Sequence, residues 1–382
     1  MVITVYSDFL FSEATKYKDP IICPTFTCSN EDDVAATPSP DAVRKAQSAI
    51  ESLCSIVPSL PTSLSSSTNP ALSLLHDPTV SFHISALLRE PNSGSGDNQL
   101  CRWLYDTFQS CVPELQLVVL RFLPIIIGIY HSRTVHWEPQ AGFEAVLLAL
   151  YASETNSRDG QAVTVTIPDL SHPSIYHNES KSIVKNNATN LDLAVVSHSL
   201  EPHDTVRSTR RARIVGVTLE LYFSKISQMP IKSKIELCEF CKIWAGQDGD
   251  MYKGFGSEPQ HKPNDEEVGD DVEEEEEEET ETIVKEEGKM MKKKKEGRIP
   301  LPWELLQPVL RIVGHCLMGP NNCKEKELFH AASEACWCLY ARALHDVNPK
   351  AILATESLLR LLKRVEDNDF GDFDYYTNVI SL

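Results

Sequence analysis

Apolar positions recur three and four residues apart through most of this chain. Val43, Ala46, Ile50, Leu53, Cys54 and Val57 make the first such stripe. Ser39 stands before it as a cap, Pro40 occupies the first helical position, and Pro58 stops the run. The Pro/Ser-rich stretch 59–70 reads as a linker. Helices are predicted over 79–88, 100–111 and 113–130, with a Ser/Gly loop at 92–96 and Pro124 kinking the third. Glu138-Pro139 opens another, with Phe143, Val146, Leu147, Leu150 and Tyr151 on one stripe. Further helical stretches are expected near 191–199, 206–226 and 232–244. Pro302 starts the next, and Gly319-Pro320 closes it. Leu328, Ala332, Ala335, Cys336, Leu339 and Ala343 line a clean stripe, and Asn348-Pro349 turns the chain into a last helix carrying Ile352, Leu358, Leu359, Leu362 and Val365.

One stretch has another period. Val163, Val165 and Ile167 alternate with Thr164 and Thr166, which is strand spacing. Pro168 and Pro173 then forbid a continuous helix, and Ile175-Tyr176 offers a second short strand. The fold class expected is all-α: an irregular multi-helix domain of αα-hairpins with one small β-ribbon near 163–177. No fixed internal period supports a repeat array.

Residues 247–299 break the helical pattern. Glu273 to Glu279 is unbroken acid and Lys292 to Lys295 unbroken base; from Asp265 to Arg298 there are sixteen acidic and seven basic residues. Such a segment has little apolar area to offset chain entropy, so a disordered insertion is expected, as a solvated loop or, alternatively, a nuclear-import or anionic-lipid contact. The organisation is thus a peripheral segment over 1–38, a helical domain over 39–246 and 300–366 split by the insertion, and a tail over 367–382.

The net charge of −19 argues against a general nucleic-acid binder, which needs a basic footprint. Eleven cysteines beside an N-terminus without a basic n-region point to reduced, intracellular thiols. Val2 and the C-terminal Val379-Ile380-Ser381-Leu382 carry no myristoylation or prenylation signal, and the sequons at Asn178 and Asn187 are read as unused. No transmembrane span is expected: the most apolar run, 115–130, contains Arg121 and Pro124 and is too short.

Assembled chemistry is hard to find. Cys238-Glu239-Phe240-Cys241 lacks the second pair of a structural zinc site and reads as a buried helix face, as does Cys336-Trp337-Cys338. His330 and Glu334, four apart on a helix, lack a third ligand. His131, His136, His172 and His177 read as ordinary polar residues. Walker A, protein-kinase and G-x-S-x-G signatures are absent, and Gly94-Ser95-Gly96 and Gly254-Phe255-Gly256 lack a strand–turn–helix context. No enzyme activity, cofactor or metal is expected, although a thiol or metal enzyme using Cys238 and Cys241 stays open as an alternative.

Three blocks carry a resemblance. They are Arg121-Phe122-Leu123-Pro124, the run Gly142–Tyr151 with Glu144, Ala145, Leu147 and Leu148, and the eleven residues Ile167-Pro168-Asp169-Leu170-Ser171-His172-Pro173-Ser174-Ile175-Tyr176-His177. Together they resemble the hyccin family, over about 42–365 with the best match at 115–177. The resemblance implies a non-catalytic adaptor of a plasma-membrane phosphatidylinositol 4-kinase complex. It would pack on a tetratricopeptide-repeat scaffold, stabilise scaffold and phosphatidylinositol 4-kinase type III alpha, and reach the inner face of the plasma membrane through a separate palmitoylated anchor protein. The charged insertion and the short tail depart from the animal members. The expected docking face is the C-terminal helix pair, with Leu328, Trp337, Tyr340, Leu344, Leu358 and Leu362, unless that stripe only fills the chain's own core. The alternative function is a generic helical scaffold unrelated to the lipid kinase.

Overall fold

Proline marks where many of this chain's helices begin. In the computed structural model, which describes residues 38–57, 60–61, 64–134, 139–168, 191–252, 297–319, 322 and 325–367, helices α1 (Pro40–Ile56), α2 (Pro70–His76) and α3 (Pro78–Arg89) each start on a proline. The residue before each caps it: Ser39 accepts from the Ala42 N–H, Asn69 from Leu72, and Asp77 from Thr79 and Val80. Proline costs nothing there, because its missing N–H has no helical partner to lose. Helix α4 (Gln99–Gln109) is capped by Asn98, and α5 (Pro113–Arg121) again opens on proline. Then follow α6 (Leu123–Thr134), α7 (Ala141–Ser157), strands β1 (Val163–Pro168) and β2 (Leu191–Ser197), α8 (Arg211–Ser224), α9 (Ile231–Ala245), α10 (Trp303–Met318), α11 (Lys326–His345) and α12 (Pro349–Asp367).

Four of these differ from the sequence expectation. The presumed linker at 59–70 buries Leu60 and Leu64, and its last residue, Pro70, opens α2, which adds Ala71, Leu74 and Leu75 to the core. The helix expected near 191–199 is a strand: β2 pairs antiparallel with β1, Thr164 opposite Val195 and Pro168 opposite Leu191. Its short apolar run fits either period, and the partner strand decides. Ile175-Tyr176, expected to pair there, lies outside the described residues. The expected kinked helix at 113–130 is two helices bent by 42°, because Pro124 cannot donate to Leu120 and the turn gives way at Phe122. Finally, both ends of the presumed insertion belong to the fold. A 3-10 turn, Gly249–Tyr252, packs on α11, and Ile299 is buried.

Helices α1, α2, α4 and α5 pack together, and α4 passes contact to α7. From α7 the packing runs to α8, α10, α11 and α12, while α6 and α9 join the two ends by contacting α3 and α11 respectively. Where α8 crosses α10 the two backbones approach closely. Pro308 inside α10 leaves the Glu304 carbonyl without its helical donor. Gly216 lies against that oxygen, and a Cβ there would sit 2.3 Å from it.

Arg342 on α11 closes the gap left by the insertion. Its Nη1 donates to the carbonyls of Trp244 (3.3 Å) and Ala245 (3.0 Å), and Nη2 to that of Ile299 (3.2 Å). Nε donates to Asp346 Oδ2 at 2.5 Å. The first two acceptors are last-turn carbonyls of α9, which have no helical partner and lie at its negative end. Gly246 ends that helix with φ +57°, a left-handed conformation glycine adopts without strain. The Ile299 N–H donates to the Trp244 carbonyl at 3.3 Å, and Arg298 reaches Asp346 at 2.9 Å. Partial burial pushes the Asp346 carboxyl up, but hydrogen bonds from Arg342 and His345 hold it below its ordinary value.

Replacing Arg342 by lysine keeps the charge and loses the fork. R342K is expected to lower unfolding stability by about 2–4 kcal/mol, as buried carbonyls lose their donors; an unchanged urea midpoint contradicts the role given to the guanidinium. G216A is expected to cost about 1–3 kcal/mol through overpacking, read in the same titration, and a neutral or stabilising effect would show that α8 and α10 can part freely.

Candidate functional site

The signature residues are mainly structural, and the geometry says how. The break at Phe122 frees the Arg121 carbonyl, which accepts from Ser233 Oγ at 2.6 Å, and Ser233 meets the Tyr222 hydroxyl at 3.0 Å. The Arg121 guanidinium donates to the Leu75 carbonyl and lies over the Phe122 ring. Phe122, Leu123 and Pro124 are buried at this junction of α2, α5, α8 and α9. On α7, Glu144 accepts from the Tyr130 hydroxyl at 3.1 Å, and Arg211 Nε donates to the same hydroxyl at 3.0 Å. Burial and the Glu144 charge together push the Tyr130 phenol up to about 12. Leu147 is core, Leu148 is half-buried and Ala145 is exposed. Tyr151 donates to the Glu201 carbonyl at 2.8 Å and stacks on His203, tying the chain after β2 to α7. Ile167 and Pro168 lie in β1, whereas Leu170, Pro173, Ser174, Tyr176 and His177 fall outside the described residues, as do His136 and His172.

The thiols of Cys238, Cys241 and Cys336 are placed as core residues. Cys238 and Cys241 are fully buried, and their thiols are pushed up: Cys238 by its hydrogen bond with Cys316 and by burial, Cys241 by burial. Cys336 is likewise buried and raised. A thiol held protonated is a poor nucleophile and a poor metal ligand. Among the described residues no group of three or more His, Cys, Asp and Glu side chains is placed to hold a metal ion. His330 and Glu334 stand 3.7 Å apart, and Glu334 also receives Lys242 from α9 at 2.8 Å, so the pair is part of an ion bridge between helices.

What remains is surface. Of the six residues expected on the docking face, Leu328, Leu358 and Leu362 are core residues of this chain and cannot meet a partner without unfolding it. Trp337, Tyr340 and Leu344 are half-buried; the Trp337 and Tyr340 rings touch edge to face, and Gly249 backs onto Trp337. The exposed apolar residue of the pair is Leu353 on α12, at 57% exposure, which the sequence reading passed over. Its signal was its position off the stripe made by Ile352, Leu358, Leu359 and Leu362.

No single helix among the described residues is long and apolar enough to cross a membrane. The bent pair α5–α6 passes that test only jointly, and most of its residues are buried inside the protein.

A helical domain with a short antiparallel ribbon and this signature junction was compared with known protein families. The hyccin family model matches residues 65–376. The chain belongs to the hyccin family. The matched range takes in the signature blocks, the C-terminal helices and the charged segment between α9 and α10. Hyccin membership supports a general non-catalytic adaptor role.

His131 follows Tyr130 into this core, edge to face with Trp244 at 5.6 Å, and neither His131 Nε2 nor Trp244 Nε1 has a hydrogen-bond partner. Burial, then the Arg211 charge, pushes His131 down to about 4. The neutral ring is therefore favoured by folding. Its contribution is complete above about pH 6.5 and is lost as pH falls toward 4, up to about 3 kcal/mol. The buried carboxyls of Glu154, Glu220 and Glu236 are raised, chiefly by burial, and act in the opposite sense. H131F is expected to flatten the fall of stability between pH 6.5 and 5, measured by urea unfolding at each pH; an unaltered slope removes His131 from the account.

Proposed function

We propose that this chain is the adaptor of a plasma-membrane phosphatidylinositol 4-kinase complex, packing against a tetratricopeptide-repeat scaffold and stabilising scaffold and kinase type III alpha. Membership of the hyccin family carries this reading. The all-helical fold supports it, since amphipathic helices whose inner faces fill one core leave their outer faces for a partner. In this reading the chain supplies binding energy and conformational support for phosphatidylinositol 4-phosphate synthesis and carries no phosphoryl-transfer step. It reaches the inner leaflet through its partners, with a palmitoylated protein as the anchor.

The outer side of α11 and α12 is the docking face in this proposal, centred on Leu353 with Tyr340 and Trp337 nearby in sequence on the partner helix. Aromatic anchors of this kind dominate interface energetics. Buried stripe residues such as Leu358 serve the fold and only indirectly the interface.

Co-expression with a tetratricopeptide-repeat scaffold of the lipid-kinase complex, followed by size-exclusion chromatography with mass determination, is expected to give a stable heterodimer. Elution as separate folded species refutes the adaptor reading. L353E is expected to weaken that association by about tenfold or more while thermal unfolding stays unchanged. If L353E binds as tightly as the parent, the docking face lies elsewhere.

A further inference from the structure

A cleft of about 280 Å³ opens between the last turns of α7 and α8, the base of the ribbon and α10. It is lined by Glu154 from α7 and Arg158 at its C-terminal cap, Glu220 and Phe223 from α8, and Arg311 and His315 from α10. That volume lies just under the range of ordinary ligand pockets, so it suits a small group and not a nucleotide.

Arg158 is the anomaly. Its side chain is only 10% exposed, yet Nε, Nη1 and Nη2 all lack a hydrogen-bond partner. Its ion pairs, to Glu154 at 3.2 Å and Glu220 at 3.6 Å, leave those N–H groups unmet. A guanidinium carries five N–H donors in a rigid fork, and buried donors without acceptors are costly. Arg311 stands at the same cleft, its guanidinium 4.3 Å from the centre of the Phe223 ring. The cleft therefore holds two guanidiniums beside two carboxylates, with unmet donors on Arg158 and an apolar wall.

We propose that this cleft binds a small oxyanion, a carboxylate or a phosphate, through the guanidiniums of Arg158 and Arg311. The ligand's oxygens satisfy the open fork on Arg158 and displace its imperfect pairs with Glu154 and Glu220. The displaced carboxylates need a proton or a new partner. Burial already raises both, against the lowering influence of Arg158 and Lys225 on Glu154, and of Ser197, Arg158 and Arg311 on Glu220. Their mutual repulsion also favours protonation of Glu220. Anion entry is thus coupled to proton uptake, and affinity rises as pH falls. His315, pushed down to about 4 by burial and then Lys234, stays neutral over the working range and adds no charge. This inference rests on the cleft alone and is independent of the lipid-kinase reading.

The test is calorimetric titration of the full chain with inorganic phosphate and, separately, with succinate, at pH 7.5 and 6.0. The Arg Nε–H signals are followed by NMR in parallel. Saturable binding is expected, tighter at pH 6.0 by up to about thirtyfold if one proton is taken up, with the Arg158 Nε–H signal shifted. R311Q, which keeps the Arg158 ion pairs, is expected to weaken binding by about tenfold or more, the loss of a charged hydrogen bond. E154Q/E220Q is expected to tighten binding at pH 7.5 and to leave only the pH dependence of the probe's own ionisation. Binding of phosphate alone assigns a phosphate-bearing ligand, and of succinate alone a carboxylate. No saturable binding of either probe by the parent or by E154Q/E220Q at either pH overturns the proposal, as does binding that R311Q leaves unchanged.

Discussion

Arg342 holds together two stretches of chain that the charged insertion separates. Its fork takes the orphan carbonyls of Trp244 and Ala245 on one side and that of Ile299 on the other, while Asp346 neutralises it. Without these bonds, α9 would end on uncapped carbonyls facing α11, and α10 would lose the fixed point from which it starts. The packing of α9 on α11, and of α10 between α8 and α12, follows from that one placement. A buried charge in such a position is strongly destabilising if left alone and effective only when every donor finds an acceptor. The main-chain acceptors come from backbone, so side-chain repacking offers no substitute for them.

The same constraint explains why the chain is a helical body with few chemical surprises. Its buried cysteines and aromatic rings are spent on packing: Cys241 and Trp244 fill the contact of α9 with its neighbours, and Tyr222 and Tyr130 bridge helices by their hydroxyls. Polar atoms inside the core serve helix junctions. Arg121 at the α5–α6 break and Arg342 at the α9 terminus both satisfy carbonyls that interrupted helices leave open. An adaptor needs such rigidity, because a surface binds well only if holding its shape costs little at the moment of contact.

Long helices were legible in the sequence; short and paired elements were not. The stripe from Leu328 to Ala343 gave α11 almost to its ends, because more than four turns of one period leave no competing reading. Helix α2 was hidden because its seven residues hold too few apolar positions to show a period, although Asn69-Pro70 and Asp77-Pro78 signalled cap and first turn twice over. Strand β2 was misread because Leu191 to Val196 satisfies either period until its partner is known. A stripe says only which residues face inward together, and Leu358 and Leu362 face this chain's own core, the alternative the sequence had left open. The cleft left no linear trace at all. Arg158 and Arg311 come from helices far apart in sequence, and only packing of α7, α8 and α10 brings them to one wall.

The hydrogen bond from the Ile299 N–H to the Trp244 carbonyl places the two borders of the charged insertion within one residue's reach of each other. Closing a chain between neighbouring points costs entropy that grows only with the logarithm of its length, roughly 0.6 kcal/mol per doubling. The border at α9 and α10 is therefore a port through which sequence can be gained, lost or exchanged while the helices on either side keep their registry. Relatives that differ widely in length at this point can share one core, and a foreign domain whose own termini lie close together has a ready place to be seated.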